Sequence, residues 1–504
     1  MGESRLVLLQ GPPGTGKTKT IIGIVSAFLD CTAHESRESI KRPRVFVCAP
    51  SNAAADEIAL RIMHERGGSN IQNLEDSIPV VRVGDPHSIH ELVKPVHLEV
   101  LIERTLGKDD AKHAVSRNGD RELRQGQQEE HRKLNEDIGQ LHVEREKLSA
   151  TRDAPDYERL TAQLTRLHSR KDEVVSAMNA SFGAERRARA MAAEMRLKTK
   201  LDVLNRAQVV CCTLSASGSE TVGDGVRGAD LIVIDEAAQA TEVSSLIPLK
   251  HLMANRGRCV LVGDPCQLPA TVLSQAAQSL RYERSLFERL QKCGFPVVML
   301  DTQYRMHPAI RCFPSNHFYQ GKLQDSPSIQ SRESTPYSDQ IETGPCVFWD
   351  VRASATRHGM SWCNATEAQV VVALLRSLFD KYASVDFDGK IGVLTPYSSQ
   401  LQELRRQYQR SLTRDQQRWI ESNTVDAFQG REKEIVIFTC VRAGAQRGIG
   451  FVADTRRMNV ALTRAKQAIW VVGNVEALER NSDWRSYIRC GHSCSVALPL
   501  LRTN

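Results

Sequence analysis

Between an apolar run, Leu6 to Leu9, and a helical stretch that opens near Lys19, the chain carries GPPGTGKT, Gly11 to Thr18. The pattern G-x-x-x-x-G-K-[ST] works only where a buried strand hands over to a helix. Small residues there let backbone N–H groups curl around an anion at the helix N-terminus. This order of strand, loop and helix predicts an α/β sheet with a nucleotide at one strand end. Gly11, Pro12, Pro13, Gly14, Thr15 and Gly16 form the cradle, and Lys17 brings charge to the β and γ phosphates. Thr18 offers its hydroxyl to Mg2+, and Lys19 begins the helix.

A second strand end answers the first. In LIVIDEAAQ, residues 231–239, four apolar residues run into Asp235 and Glu236. Carboxylates at the end of a strand buried on both faces are costly unless a cation or a reaction uses them. Beside a P-loop, Asp235 is expected on the metal and Glu236 is placed to orient and deprotonate a water. The plain alternative is a capping pair for the next helix. ATP and Mg2+ are the expected ligands.

Further strands follow the same grammar. VFVCAP (45–50) precedes a helix opening near Ser51, and AQVVCCTL, LIVIDE and CVLVGD alternate with helical segments. From about 100 to 205 the chain turns to Arg, Glu, Lys and Gln. There Leu134, Leu141 and Leu148 recur at heptad spacing, then Leu160, Leu164 and Leu167 beyond the break SATRDAPDYE. This predicts a projecting helical hairpin, with a partly disordered insert as the alternative. A second series, PVVML, CVFWD, KIGVLTPY, EIVIFTCV and AIWVVGN, predicts a second α/β lobe lacking a P-loop, with polar loops such as DSPSIQSRESTPYSDQ on its surface. The expected division is 1–95 and 206–295 for the first lobe, 96–205 for the insertion and 296–504 for the second lobe.

Composition excludes several classes. With 41% hydrophobic and 25% charged residues among 504, the chain is of ordinary globular make-up. A net charge of +7 permits a polyanionic partner without requiring one. The 13 cysteines include no CxxC pair, which suits a reducing compartment. Cys490, His492 and Cys494 in CGHSC lack the second ligand pair of a structural zinc site. No apolar run reaches membrane-span length and the first residues do not form a signal peptide, so an intracellular, soluble protein without membrane contact is expected.

If nucleotide lies between two lobes, the second should bring charge to the γ phosphate. Arg305 in QYRMHP and Arg464 in RRMNVALTRAK are the candidates, although either alone also fits a surface ion pair. Gln267 in VGDPCQLP stands just past a strand end, where an amide can sense the γ phosphate; a proline-held turn is its alternative. Gly430 in TVDAFQGREK allows a tight turn, and Glu432 is placed to accept from a ribose hydroxyl or to contact Arg464.

GPPGTGKT, APSNAAADE, DEAAQ, GDPCQLP, QYRMHP, TVDAFQGREK and RRMNVALTRAK, in this order, resemble the motifs of superfamily 1B RNA and DNA helicases. RYERSLFERLQKCGFPVVMLDTQYRMHPAIRCFPSNHFYQGKL is similar to the senataxin group within the family of the nonsense-mediated-decay helicase. The resemblance implies two RecA-like lobes and ATP hydrolysis coupled to 5′ to 3′ movement on single-stranded RNA or DNA. It also implies unwinding of duplexes and RNA–DNA hybrids by a monomeric motor, more in the nucleus than the cytoplasm. By that likeness Lys17, Asp235, Glu236, Gln267, Arg305 and Arg464 act on the phosphates. Tyr304 stacks on adenine, and Gly430 and Glu432 contact nucleotide. Ser51, Asn52, Thr213, Ser215, Thr395, Pro396, Tyr397 and Thr424 then touch nucleic acid, small polar groups suiting a motor that grips a backbone without reading bases. Family members usually carry, ahead of the P-loop, an adenine-contacting glutamine and a small β-barrel. Neither occurs before Gly11 here, and both are expected to be missing. The alternatives are a nucleic-acid-binding P-loop protein with weak or no unwinding for want of those elements, and a P-loop kinase or switch indifferent to nucleic acid.

Overall fold

The structure, a computed structural model, describes residues 4–35, 43–67, 80–149, 154–225, 228–253, 257–332, 344–442, 448–490 and 495–497. His492 and Cys494 of the CGHSC cluster, and the latter part of the 325–340 polar segment, lie outside the described residues. The chain divides into two compact units. One comprises Met1–Glu65, Cys211–Gly218 and Gly228–Asn504, and the other Arg66–Val210 and Ser219–Arg227.

In chain order the strands are β1 (Leu6–Gln10), β2 (Val45–Ala49), β3 (Val80–Val83), β4 (Val209–Thr213), β5 (Leu231–Ile234), β6 (Arg258–Gly263), β7 (Val297–Met299), β8 (Thr302–Gln303), β9 (Gln324–Asp325), β10 (Cys346–Asp350), β11 (Thr356–His358), β12 (Ser361–Cys363), β13 (Ile391–Thr395), β14 (Ile420–Thr424), β15 (Lys433–Thr439), β16 (Ala465–Gly473) and β17 (Ser495–Ala497). The first unit holds a sheet in the order β4-β2-β5-β6-β1-β7 and a second in the order β14-β13-β15-β16-β10-β17. The pairs β1–β6, β1–β7, β2–β5 and β5–β6, and every pair of the second sheet, are parallel. The α/β architecture with two parallel sheets agrees with the expected two RecA-like lobes.

Strands buried on both faces explain the near-continuous apolar runs. In the second sheet Val436 and Phe438 enter one core cluster, while Ile435 and Ile437 on the same strand enter the other. Register then sets the site. Gln10 pairs with Gly263 and Ile234 with Leu261, so the chain leaves β1, β5 and β6 at one edge, carrying Gly11, Asp235 and Asp264. Carboxyl ends of parallel strands are where such sheets bind ligands. At the matching end of the second sheet, Thr395 pairs with Thr424.

One strand departs from expectation. β7, the PVVML run placed at the head of the second lobe, pairs with β1 on the edge of the first sheet. Val298 is 56% exposed there, so an apolar run on its own does not tell which sheet it joins.

Helix α1 (Lys17–Glu35) begins two residues before the expected Lys19, and α2 (Asn52–Gly67) follows β2. In the second unit, α3 (Leu98–Ser149) and α4 (Ala154–Arg206) form the helical hairpin. Leu134, Ile138, Leu164 and Val174 are buried, and Arg170 bridges to Glu130 at 2.8 Å. Leu141 and Leu160 are only half-buried, since each helix turns 3.6 residues per repeat and drifts off a strict heptad stripe. Among the described residues no helix is long and apolar enough to cross a membrane.

Candidate functional site

The glycine loop takes its shape from backbone demands that only its residues meet. Gly14 and Gly16 have φ of +76° and +79°, in the left-handed region. A Cβ at Gly14 would stand 2.7 Å from Cβ of Arg305, so the loop packs directly on the residue expected from the second lobe. Tyr304 N donates to Gly14 O at 2.8 Å, which fixes the QYRMHP segment against the cradle. Thr15 Oγ1 donates to Pro12 O at 2.8 Å. Lys17 Nζ donates to Gly11 O at 3.1 Å and stands 3.8 Å from Glu236 Oε1.

The two acidic residues after β5 differ sharply. Asp235 is 6% exposed, and its Oδ1 is buried with no hydrogen-bond partner. Burial first, then the Glu236 carboxylate, push its pKa up to about 7 against the pull of Lys17. An orphaned carboxylate oxygen at this depth is a donor suited to Mg2+, and Thr18, in the first turn of α1, carries a hydroxyl of the same hard-oxygen type. Glu236 sits at φ 48°, ψ 38°, a left-handed conformation that costs a non-glycine residue about 1–2 kcal/mol. Gln239 Nε2 donates to its Oε2 at 2.6 Å and holds the carboxylate there. Strain of this kind persists where surrounding contacts over-determine it.

The two second-lobe arginines lie close enough to each other, and Arg464 close enough to Glu236, to interact electrostatically. Arg305 bonds Glu432 Oε2 through Nε at 2.5 Å and Thr463 O through Nη1 at 3.1 Å. Arg464 is 2% exposed, and its Nε and Nη2 reach only Val460 O at 2.9 Å and Thr463 Oγ1 at 3.0 Å. No carboxylate pairs with it among the described residues. Burial, then the neighbouring Arg305, pull its pKa down to about 9. The expected Glu432–Arg464 contact is not formed. Glu432 instead pairs with Arg305 and, at 3.2 Å, with Lys466. Burial raises its pKa, but those two cations outweigh it and hold the carboxylate below its ordinary value. Gly430 has the φ, +80°, of its expected turn. Tyr304 is 58% exposed, its ring open beside the glycine loop.

Sequence reasoning missed the residues that hold these groups. Gln267 Nε2 donates to Asp264 Oδ2 at 2.7 Å, and the same oxygen accepts from the Tyr319 hydroxyl at 2.7 Å. Asn459 Nδ2 donates onward to Tyr319 Oη at 2.7 Å and to Cys266 O at 2.8 Å. This buried network ties the end of β6 to the helix Thr455–Leu462, which leads into Arg464. Gln303 fixes the other arginine, its Oε1 accepting from Arg305 N at 2.8 Å and Met306 N at 2.7 Å. Asp264 and Gln303 lie within or beside quoted motifs, a signal that was available. Tyr319 and Asn459 also lie within quoted stretches, but their roles were not legible there because their partners are distant in sequence.

The residues expected at nucleic acid collect at strand ends. Leu214 N donates to Ala49 O at 2.9 Å, which brings Ser51 and Asn52 beside Thr213 and Ser215. Ser51 Oγ accepts from Ala54 N at 3.2 Å and Thr213 Oγ1 from Ala216 N at 3.2 Å, so both hydroxyls cap local turns. Ser51 and Ser215 are exposed, while Thr213, Pro396 and Thr424 are half-buried. Two expectations need correction. Thr395 is 0% and Tyr397 3% exposed, so neither side chain offers a surface: Thr395 Oγ1 accepts from Tyr397 N at 3.4 Å and Tyr397 Oη from Phe451 N at 3.2 Å. Both side chains are spent within the chain.

Two family models, each described as "AAA domain", match residues 1–275 and 282–476. The chain is 37% identical to "Helicase SEN1" of Saccharomyces cerevisiae over 95% of its own length and 22% of that protein's. It is 30% identical to "Probable helicase senataxin" of Homo sapiens, covering 96% of this chain and 18% of the relative. With "ATP-dependent helicase NAM7" of S. cerevisiae the identity is 32%, over 95% and 41% of the two chains. The chain thus spans about a fifth of the length of the first two relatives.

Proposed function

Because this chain belongs to the superfamily 1B helicases of the senataxin and nonsense-mediated-decay type, we propose that it hydrolyses ATP between its two sheets and uses the cycle to move along single-stranded RNA or DNA. The observation that carries this reading is a pair of buried, opposite ionisable groups, neither with an ion-pair partner among the described residues. Asp235 has an orphaned oxygen and Arg464 has no carboxylate. Burying either is costly unless a ligand completes it, and a metal-bound triphosphate completes both.

The backbone N–H groups of Gly14 and Gly16, with those that open α1, bind the β and γ phosphates, and Lys17 moves from Gly11 O onto them. Thr18 and Asp235 would hold Mg2+, which neutralises phosphate charge when bound. Glu236, fixed by Gln239, accepts a proton from the attacking water as that oxygen bonds to phosphorus. Arg305 and Arg464 stabilise charge on the transferring oxygens while ADP leaves. Gln267, tethered to Asp264, registers whether the γ phosphate is there. Through Tyr319 and Asn459 that state reaches the helix preceding Arg464, so loss of phosphate can shift the second sheet. Tyr304 supplies a ring for adenine, and Gly430 and Glu432 shape the far wall.

Ser51, Asn52, Thr213, Ser215, Pro396 and Thr424 contact the strand's sugar–phosphate backbone. We infer further that the motor works as a monomer, runs 5′ to 3′, opens duplexes and RNA–DNA hybrids, and acts in the nucleus; the likeness to proteins named helicase supports strand opening alone. The test is strand displacement from tailed RNA–DNA hybrids with Mg2+ and ATP. Displacement only from a 5′ tail is expected. ATP turnover indifferent to any strand would overturn the reading.

A further inference from the structure

At the carboxyl ends of β13, β14 and β15 lies a run of rings and guanidinium groups that the nucleotide chemistry does not use. Arg442 sits over the Trp362 ring at 4.8 Å, and Arg457 over the Phe451 ring at 5.0 Å. Phe451 also packs on Tyr397, with ring centroids 5.7 Å apart and planes tilted 57°. Gly450, at φ +62°, joins the two halves, since a Cβ there would overlap both Tyr397 Oη and the Arg442 side chain. Trp362 lies on β12, and Ser399 N donating to Ser361 Oγ at 3.2 Å fastens that strand beside the Tyr397 loop.

The arrangement is held in place from below. Val441 has φ 69°, a left-handed conformation that a β-branched residue adopts only under constraint. Its N–H donates to Glu367 Oε2 at 2.8 Å; that buried carboxylate also accepts from Thr439 Oγ1 at 2.5 Å and Asn364 Nδ2 at 3.1 Å. Glu367 thereby sets where the next residue, Arg442, points. On the other side Asp426 and Asp454 pair with Arg457, each at 3.0 Å, and hold its guanidinium over Phe451. Phe451 nevertheless stays 53% exposed. A half-exposed ring fixed by Tyr397 and Arg457, beside the Thr395–Thr424 strand ends, suits a flat apolar ligand carried on an anionic chain.

We propose that Phe451 and Trp362, with Arg442 and Arg457 against them, are a stacking platform for unpaired nucleobases, and that Glu367 is a positioning residue for it. This rests on the strand-driven reading above and adds base contacts to a grip otherwise made on the sugar–phosphate backbone. Stacking is sequence-tolerant because every base has a π face, as a translocating protein requires.

The experiment measures the affinity of the full chain for a single-stranded RNA and for the same strand made abasic at successive positions. Proteins compared are the parent, Phe451→Ala, Phe451→Leu and Trp362→Ala. Each alanine variant is expected to bind the intact strand about 5- to 50-fold more weakly and the abasic strand nearly as the parent does. Phe451→Leu keeps an apolar side chain without a π face, and should lose affinity as Phe451→Ala does. Unchanged binding in both alanine variants, or equal losses on intact and abasic strands, would overturn the platform. ATP turnover by the parent, followed with and without RNA, separates that failure from failure of the motor reading.

Discussion

The carboxyl ends of β1, β5 and β6 and those of β13, β14 and β15 are built on opposite principles. At the first, charge is buried before its partner arrives: Asp235 keeps an orphaned oxygen, Glu236 is held in a left-handed conformation, and Arg464 has no carboxylate. At the second, the polar groups of the Thr395–Tyr397 loop are already satisfied within the chain. Thr395 serves Tyr397 N, Tyr397 serves Phe451 N, and what remains exposed is largely an uncharged ring. On the proposed reading a ligand carrying both a cation and phosphate relieves the first arrangement, which would let it discriminate between nucleotide states. The second commits little to any one ligand, which suits a surface that must release and rebind.

The comparison can be broken most easily at Glu236. Its replacement by Gln should lower ATP turnover about 10²- to 10⁴-fold by removing the proton acceptor. Glu236→Gly should lose activity similarly while stabilising the ligand-free protein by about 1 kcal/mol, because the left-handed conformation is then unstrained. Calorimetry showing Glu236→Gly less stable than the parent would mean the conformation is not a source of strain.

Glu367 sharpens the other side. Burial raises its pKa to about 7, although Thr439, Val441 and Asn364 oppose the shift. The folded chain therefore holds a proton that the unfolded chain has released between pH 4.5 and 7. Its contribution to stability is largest below that window and falls as pH rises through it, by up to roughly 3 kcal/mol. Glu367→Gln cannot titrate and presents an amide N–H to Asn364 Nδ2, so it should be less stable than the parent at pH 5 by about 1–2 kcal/mol. Urea unfolding should show the gap closing and then reversing by pH 8; a gap constant with pH would contradict the assignment.

A smaller effect is expected where the two sheets are joined. Tyr319→Phe removes one bond to Asp264 and one acceptor for Asn459, a cost of about 1–2 kcal/mol. Turnover in that variant should respond less to added single strand, while nucleotide affinity changes little. Equal stimulation in parent and variant would show that the network is only a brace.

Much of the nucleotide side was legible because its chemistry is local. A glycine loop, a strand-end carboxylate pair and an arginine before a buried strand each carry their meaning in a few adjacent residues. The partners of Arg305 and Glu432 were not legible, since the choice between Arg305, Lys466 and Arg464 is made by packing across two sheets. Apolar runs announced most strands but not the sheet each would join, as β7 shows. At the second sheet the motif spacing pointed to the loop after β13, where the Thr395 and Tyr397 side chains are buried. Tyr397 packs on Phe451, which stands beside a glycine turn far along the chain.

The central claim is that Arg464 is buried without an anion because a transferring phosphate supplies one. Steady-state ATP turnover of Arg464→Ala, measured beside the parent and Lys17→Ala with saturating single-stranded RNA, tests it most directly. Turnover in Arg464→Ala should fall about 10³-fold or more, and the strand should remain bound. Turnover within a few-fold of the parent would contradict the claim and leave Arg464 a structural residue.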